Sequence, residues 1–207
     1  MIFVELTTAK GNLDPEQRLR VAQRIGSMHE LSGGAEVQPG TAEVFRSMFQ
    51  VVIHEPEVWV VGEEPLAPAD PPRYVVRAYV PAPWRKELSQ PLIAHVTKVV
   101  SELGAGDDRA EPGREPAVLV LVLGISEGAI GLDGVPRTST DLVEMLGEPY
   151  RNDLAAGRAV KDPLCGVIVP LNENAVTLDL DGTRYGFCCS GCRDTFVARR
   201  RGEGVRV

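Results

Sequence analysis

The chain has 207 residues, 43% hydrophobic and 25% charged, an ordinary globular balance whose length fits one large domain or a domain with a small appendage. The longest apolar run, Ala117 to Leu123, is far too short to span a bilayer, and the opening Met1-Ile2-Phe3-Val4 has no basic stretch before an apolar one, so a cytoplasmic protein without membrane insertion is expected. Residues 1–157 carry 14 Lys and Arg against 23 Asp and Glu, while residues 158–207 carry 8 against 6; an acidic body argues against nucleic acid as a partner, and Arg199-Arg200-Arg201 reads as a solvated helix end.

Ile2 to Leu6 alternates as a short strand. After the loop Lys10–Leu13, Asp14-Pro15-Glu16 opens a helix with a cap residue, a proline in the first turn and an acid at the positive end. Leu19, Ala22, Ile25 and His29 recur at helical spacing as its expected buried face, and Gly33-Gly34 is expected to stop it. A loop leads to Val51-Val52-Ile53 and Val58–Val61, both strand-like. Beyond the Pro/Ala-rich connector 65–72, Tyr74–Val80 is a strand. A helix is expected over about 85–103, with Leu88, Leu92, His95 or Val96, Val99 and Leu103 on one stripe. The polar stretch Gly104–Pro116 reads as a loop. Ala117–Leu123 reads as a strand buried on both faces, and a glycine-studded turn region, 124–136, precedes a short closing helix over 140–146.

Strand, helix and parallel strand, twice over, predict an α+β body of two tandem βαβ units, about 1–65 and 70–150. They build a four-stranded sheet with two helices on one face. Its other face, rich in Val and Leu, calls for self-association.

The strand, loop and Pro15-Glu16-Gln17-Arg18 helix opening resembles the tautomerase superfamily, and residues 124–134, Gly-Ile-Ser-Glu-Gly-Ala-Ile-Gly-Leu-Asp-Gly, are similar to that family's closing segment. The resemblance covers about residues 1–150 and implies a homotrimer packed around a central axis. Tautomerases of this type use an amino-terminal proline, and here Ile2 stands in that place. The resemblance therefore implies the fold and withholds the mechanism. Arg77, Arg85 and Arg137 read as solvated, although each has the chemistry to meet a carboxylate. His29, His54 and His95 read as structural.

All four cysteines lie between residues 165 and 192. In a chain expected in the cytoplasm, that clustering points to metal or redox chemistry rather than a disulfide framework. Val176–Leu180 and Thr183–Phe187 flank Asp181-Gly182 as a hairpin. The hairpin delivers Cys188 to the mouth of a short helix over 193–199, where Cys192 sits one turn on. Cys165, on the knuckle before the first strand, closes over both. Thiolates suit a helix N-terminus, and three of them gathered without a cation repel one another. Cys189 has two readings: fourth ligand of an all-thiolate zinc site, or an exposed extra thiolate suited to Cu(I) or redox exchange.

Asp162-Pro163-Leu164-Cys165-Gly166, Tyr185-Gly186-Phe187-Cys188-Cys189-Ser190-Gly191-Cys192 and Phe196 resemble the YHS family and the wider group of treble-clef-like TRASH metal modules. Cys189 stands where that family usually has Ser, and Gly191 where it often has His. The resemblance implies a metal-binding domain over about 158–207 holding one transition-metal ion, with zinc first and copper or iron as alternatives. Metal sensing, handling or delivery is then expected, with a metalloprotein as a partner. The alternatives are a tautomerase-fold enzyme with altered chemistry, or an accessory subunit of a metalloenzyme, with the cysteine module structural.

Overall fold

A computed structural model of the chain describes residues 1–34, 37–67, 70–103 and 117–203. In chain order its elements are β1 (Ile2–Thr8), α1 (Pro15–Ile25), α2 (Met28–Leu31), α3 (Pro39–Met48), β2 (Phe49–His54), β3 (Val60–Val61), β4 (Glu64–Pro65), β5 (Arg73–Pro81), α4 (Arg85–Ser101) and β6 (Ala117–Ile125). There follow β7 (Ile130–Leu132), β8 (Val135–Arg137), α5 (Ser139–Gly147), α6 (Arg151–Ala155), β9 (Ala159–Lys161), β10 (Ile168–Pro170), β11 (Val176–Leu180), β12 (Thr183–Phe187) and α7 (Ser190–Gly202). The expected loop Gly104–Pro116 and residues 68–69 of the connector lie outside the described residues. No described helix is long and apolar enough to cross a membrane.

Contacts divide the chain into two compact units, Met1–Ser27 with Phe49–Ser126, and Met28–Met48 with Glu127–Val207. The cysteine segment shares its unit with residues 28–48 and 127–157.

The first unit carries the four-stranded sheet, in the order β2-β1-β5-β6. β1 pairs parallel with β2 and antiparallel with β5, and β5 pairs parallel with β6, which is the two-βαβ plan read from the sequence. Ile2, Val4, Leu6 and Thr8 of β1 and Tyr74, Val76, Ala78 and Val80 of β5 are buried in strict alternation. They share the core with Val21 and Ile25 of α1 and with Leu92, Val96, Val99 and Val100 of α4. Asp14 caps α1 in a capping box: its carboxylate accepts from the Gln17 amide, and the Gln17 side chain accepts from the Asp14 amide.

Three local expectations are corrected. Leu19 is 60% exposed, because the buried stripe of α1 runs through Val21 and Ile25. That helix ends at Gly26; His29 falls on α2, exposed, and Gly33-Gly34 ends α2 instead. β6 is an edge strand rather than one buried on both faces: Leu119, Leu121 and Leu123 are 51%, 37% and 39% exposed. In register they sit beside Val75, Arg77 and Tyr79, on the face that carries no helix. That open face also holds a polar knot, with the Tyr79 hydroxyl donating to Glu5 Oε2 at 2.9 Å and His54 Nε2 3.3 Å from Glu5 Oε1. His95 is buried and satisfied, its Nε2 3.0 Å from the Arg24 carbonyl.

In the second unit the stretch expected as a loop before Val51 contains α3, whose Thr41, Phe45 and Met48 are buried at i, i+4 and i+7. Gln38, just before it, exchanges hydrogen bonds with the Asn172 amide at 3.1 and 3.3 Å, and the Gly40 amide donates to the Tyr150 hydroxyl at 2.9 Å. These bonds tie residues 28–48 to the C-terminal half. α5 opens on a capping box between Thr138 and Asp141. β9 pairs with β10, and β11 with β12, both antiparallel.

Candidate metal centre

The β11–β12 hairpin turns on Asp181-Gly182, both with positive φ (49° and 75°), the geometry of a type I′ turn that Asp-Gly adopts cheaply. Its apolar face is built by Leu180, Phe187 and, from α7, Phe196, with Val176, Leu178, Tyr185 and Cys192 packed around them. The Phe196 ring lies 5.0 Å from Tyr185 and 5.4 Å from Phe187, centroid to centroid, and the Arg200 guanidinium covers it at 5.2 Å. This small core fixes the angle at which β12 runs into α7, and so where Cys188 and Cys192 face one another. Gly186 permits the hairpin to close on β9: a Cβ there would lie 2.6 Å from Val160 Cγ2. We expect Gly186→Ala to destabilise the protein by about 1–3 kcal/mol through overpacking. A urea midpoint equal to that of wild type would contradict it.

The other wall is the knuckle 162–167. Asp162 Oδ1 accepts from the Leu164 amide at 2.8 Å, an Asx turn, and from the Cys165 amide at 3.3 Å. The Gly166 amide returns to the Asp162 carbonyl at 2.8 Å with φ 80°, which is why glycine follows Cys165. The second carboxylate oxygen, Oδ2, accepts from the Cys188 amide at 2.8 Å. Asp162, only 2% exposed, therefore stitches the knuckle to the end of β12.

The result is a compact donor group. One ligand atom each from Asp162, Cys165, Cys188 and Cys192 lies within 4.8 Å of every other. The Cys188 Sγ is 3.5 Å from both the Cys165 and the Cys192 Sγ, and none of the four cysteines is in a disulfide. A zinc–sulfur bond of about 2.3 Å sets tetrahedral sulfur–sulfur edges of about 3.8 Å. The Cys188–Cys165 and Cys188–Cys192 edges thus fit a zinc-sized ion after opening by a few tenths of an ångström. Electrostatics agree. Hydrogen bonds from the Cys188 and Cys192 thiols hold the Cys165 thiolate down at about 3. The same contact with Cys165 pushes Cys188 well up, and burial, followed by the Cys165 charge, raises the Asp162 carboxyl. Crowded sulfurs compete for protons, and a divalent ion bound among them displaces those protons.

Of the residues expected from the sequence, Cys165, Cys188 and Cys192 come together. Cys189 is not in the four-donor group, although its Sγ is 3.9 Å from that of Cys188. Asp162 is the donor that sequence reasoning passed over. Its signal was present in the Asp-Pro-x-Cys-Gly motif, where an Asx turn sets up the cysteine three residues on. Elsewhere in this unit, Arg137 borders an open cleft with Asp141, Glu144 and Met145, and its Nε is buried without a hydrogen-bond partner.

No protein-family profile and no curated protein matches the chain. Among solved structures it is similar to native fused 4-OT, at 18% identity over 65% of this chain and 94% of that one, with a TM-score of 0.46. It is similar also to native Ps01740, at 21% identity over 63% and 99% with a TM-score of 0.43. A third is the macrophage migration inhibitory factor-like protein of Entamoeba histolytica, at 11% identity over 65% and 97% with a TM-score of 0.44. These neighbours are tautomerase and MIF-like structures; the likeness of the cysteine segment to YHS modules rests on its motif alone.

Proposed function

We propose that this protein binds one transition-metal ion per chain, zinc in the first instance, and that its role is metal handling with a metalloprotein as the acceptor. The observation that carries the reading is the convergence of Cys165, Cys188 and Cys192, with the Asp162 carboxylate, within 4.8 Å. Three sulfur donors in contact beside a buried acid make a poor apolar core, since each brings a titratable group into the same small space. They make good sense as a preformed cage for a soft or borderline cation. Asp162 is the proposed fourth donor. The sheet-bearing unit, with Ile2 where a tautomerase has its proline, serves as the scaffold that presents the cage.

Elemental analysis of protein purified without added metal tests this directly. One zinc per chain is the expected result. Metal-free protein with an ordered second unit, or a Cys165–Cys188 disulfide, would refute it.

We propose further that the scaffold is a homotrimer, assembled through the helix-free face of the sheet. Phe3, Val52, Val75, Leu119, Leu121 and Leu123 share that face in register, and Val52 and the three leucines are exposed. Light scattering should give three chains per particle at micromolar concentration, and Leu121→Asp should shift the particle to one. A wild-type monomer under the same conditions would sink the proposal.

A further inference from the structure

The proposed zinc cage leaves one sulfur over. Cys189 stands outside the four-donor group, yet its Sγ is 3.9 Å from Cys188 Sγ. Cys188 is therefore the hub of the cluster, in contact with Cys165 and Cys192 at 3.5 Å and with Cys189 just beyond. Cys188 thus belongs at once to the three-sulfur set Cys165-Cys188-Cys192 and to an outer contact with Cys189.

We infer that Cys188, Cys189 and Cys192 form a second, outer site for the same zinc ion, through which the ion enters and leaves; this deepens the metal-binding reading and rests on it. The inner set offers four protein donors and is closed, the pattern of ions that stay. The outer set offers three and leaves a fourth position for a donor from outside, the pattern of ions that react or exchange. Passage from one to the other keeps the bonds to Cys188 and Cys192. The bonds to Cys165 and Asp162 break, the latter leaving as carboxylate, as the bond to Cys189 forms and a donor from outside takes the fourth position; no electron moves. If Cys189 arrives as a thiol, its proton goes to the released Cys165 sulfur, so the proton count is conserved.

Two local features suit Cys189 to this part. It is the residue before the first turn of α7, with extended backbone (φ −159°, ψ 167°) that places its sulfur at the helix mouth beside Cys188. Its flank is bare: Gly191 carries no side chain, and a Cβ there would already touch the Cys189 Sγ at 3.7 Å. The outer set is also the weaker of the two, because Cys188 and Cys189 are adjacent in sequence and their backbone limits how closely both sulfurs converge on one ion. A weak, open set beside a strong, closed one gives an associative route out that does not require the ion to pass through water.

Zinc-loaded full-length protein is mixed with the chromogenic chelator 4-(2-pyridylazo)resorcinol, and both the transfer rate and the zinc affinity are measured. Cys189→Ser retains a residue that favours the start of a helix. It is expected to keep one zinc per chain with affinity within about threefold of wild type, while transfer slows by tenfold or more. Cys189→Ala, with no donor atom at all, is expected to behave likewise, and circular dichroism of both confirms the fold. Unchanged transfer rates would make Cys189 a bystander and overturn the inference. So would a hundredfold loss of affinity, since Cys189 would then belong to the resting site, and so would two zinc ions per wild-type chain. A wild-type protein that takes no zinc would instead remove the metal-binding reading beneath it.

Discussion

Cys165→Ala is expected to abolish metal binding and to loosen the second unit while leaving the first intact. Ion binding to thiolate sites is worth on the order of 10 kcal/mol in small zinc modules. The β11–β12 hairpin and α7 bury only three hydrophobic side chains, Leu180, Phe187 and Phe196, in their own cluster, too few to hold a segment of this size by apolar burial. The sheet of the first unit has its own core in Val4, Leu6, Val76, Leu92 and Val96 and carries none of the ligands. Hydrogen exchange checks the result residue by residue. Protection should fall in 159–203, and in the partners those residues share within their unit, α3 and α5. Amides of β1, β5 and α4 should be unchanged. A chelator applied to wild type should reproduce the same pattern. Loss of protection throughout the chain would mean that the two units do not fold independently of the ion.

The second large effect is expected at Asp162. Its carboxylate takes three backbone amides, those of Leu164, Cys165 and Cys188, in a place with almost no solvent. Asp162→Ala strands all three donors. Each buried unsatisfied group costs about 1–3 kcal/mol, and part of that is recovered where water enters, so a loss of about 3 kcal/mol is expected. Asp162→Asn keeps one carbonyl oxygen for the Asx turn and loses the bond to Cys188, or the reverse, so its loss should be about half as large. Urea denaturation of zinc-saturated protein measures the loss, ligation included. Zinc affinity of the same variants then reports whether the carboxylate also touches the ion: equal affinity in Asp162→Asn and wild type would make it a positioning residue only.

Much of this architecture was legible in the residues. Alternation in Ile2–Leu6 and Tyr74–Val80, the Asp14-Pro15 helix start and the Asp181-Gly182 turn are local signals that each name one backbone conformation, and the structure uses them so. The three cysteines were legible because thiols gathered at a hairpin and a helix start have few other uses. What escaped was of two kinds. Leu19 and β6 were assigned by hydrophobicity, but which face is covered depends on where an element lies in the sheet order, and an edge strand with apolar side chains reads like a central one. α3 was missed although Thr41, Phe45 and Met48 carry a helical period, because its polar neighbours and the glycine-rich lead-in resemble a loop. Asp162 was in a motif already noticed, but a carboxylate next to a proline looks like a turn former, and its reach to the Cys188 amide 26 positions on is a tertiary fact.

The second unit is assembled from two stretches of chain, residues 28–48 and 127 onward, with most of the first unit encoded between them. That order has a consequence for synthesis. At roughly 5–20 residues per second, the ribosome releases α3 several seconds or more before the helices and strands that cover it exist. Through that interval Phe45 and Met48 are an apolar stripe not yet covered, while the strands and helices of the first unit are completed on either side of them. The nascent chain thus carries an uncovered sticky helix looped out of a finished domain, a natural client for a chaperone. The same helix would make any fragment cut before residue 127 prone to aggregate.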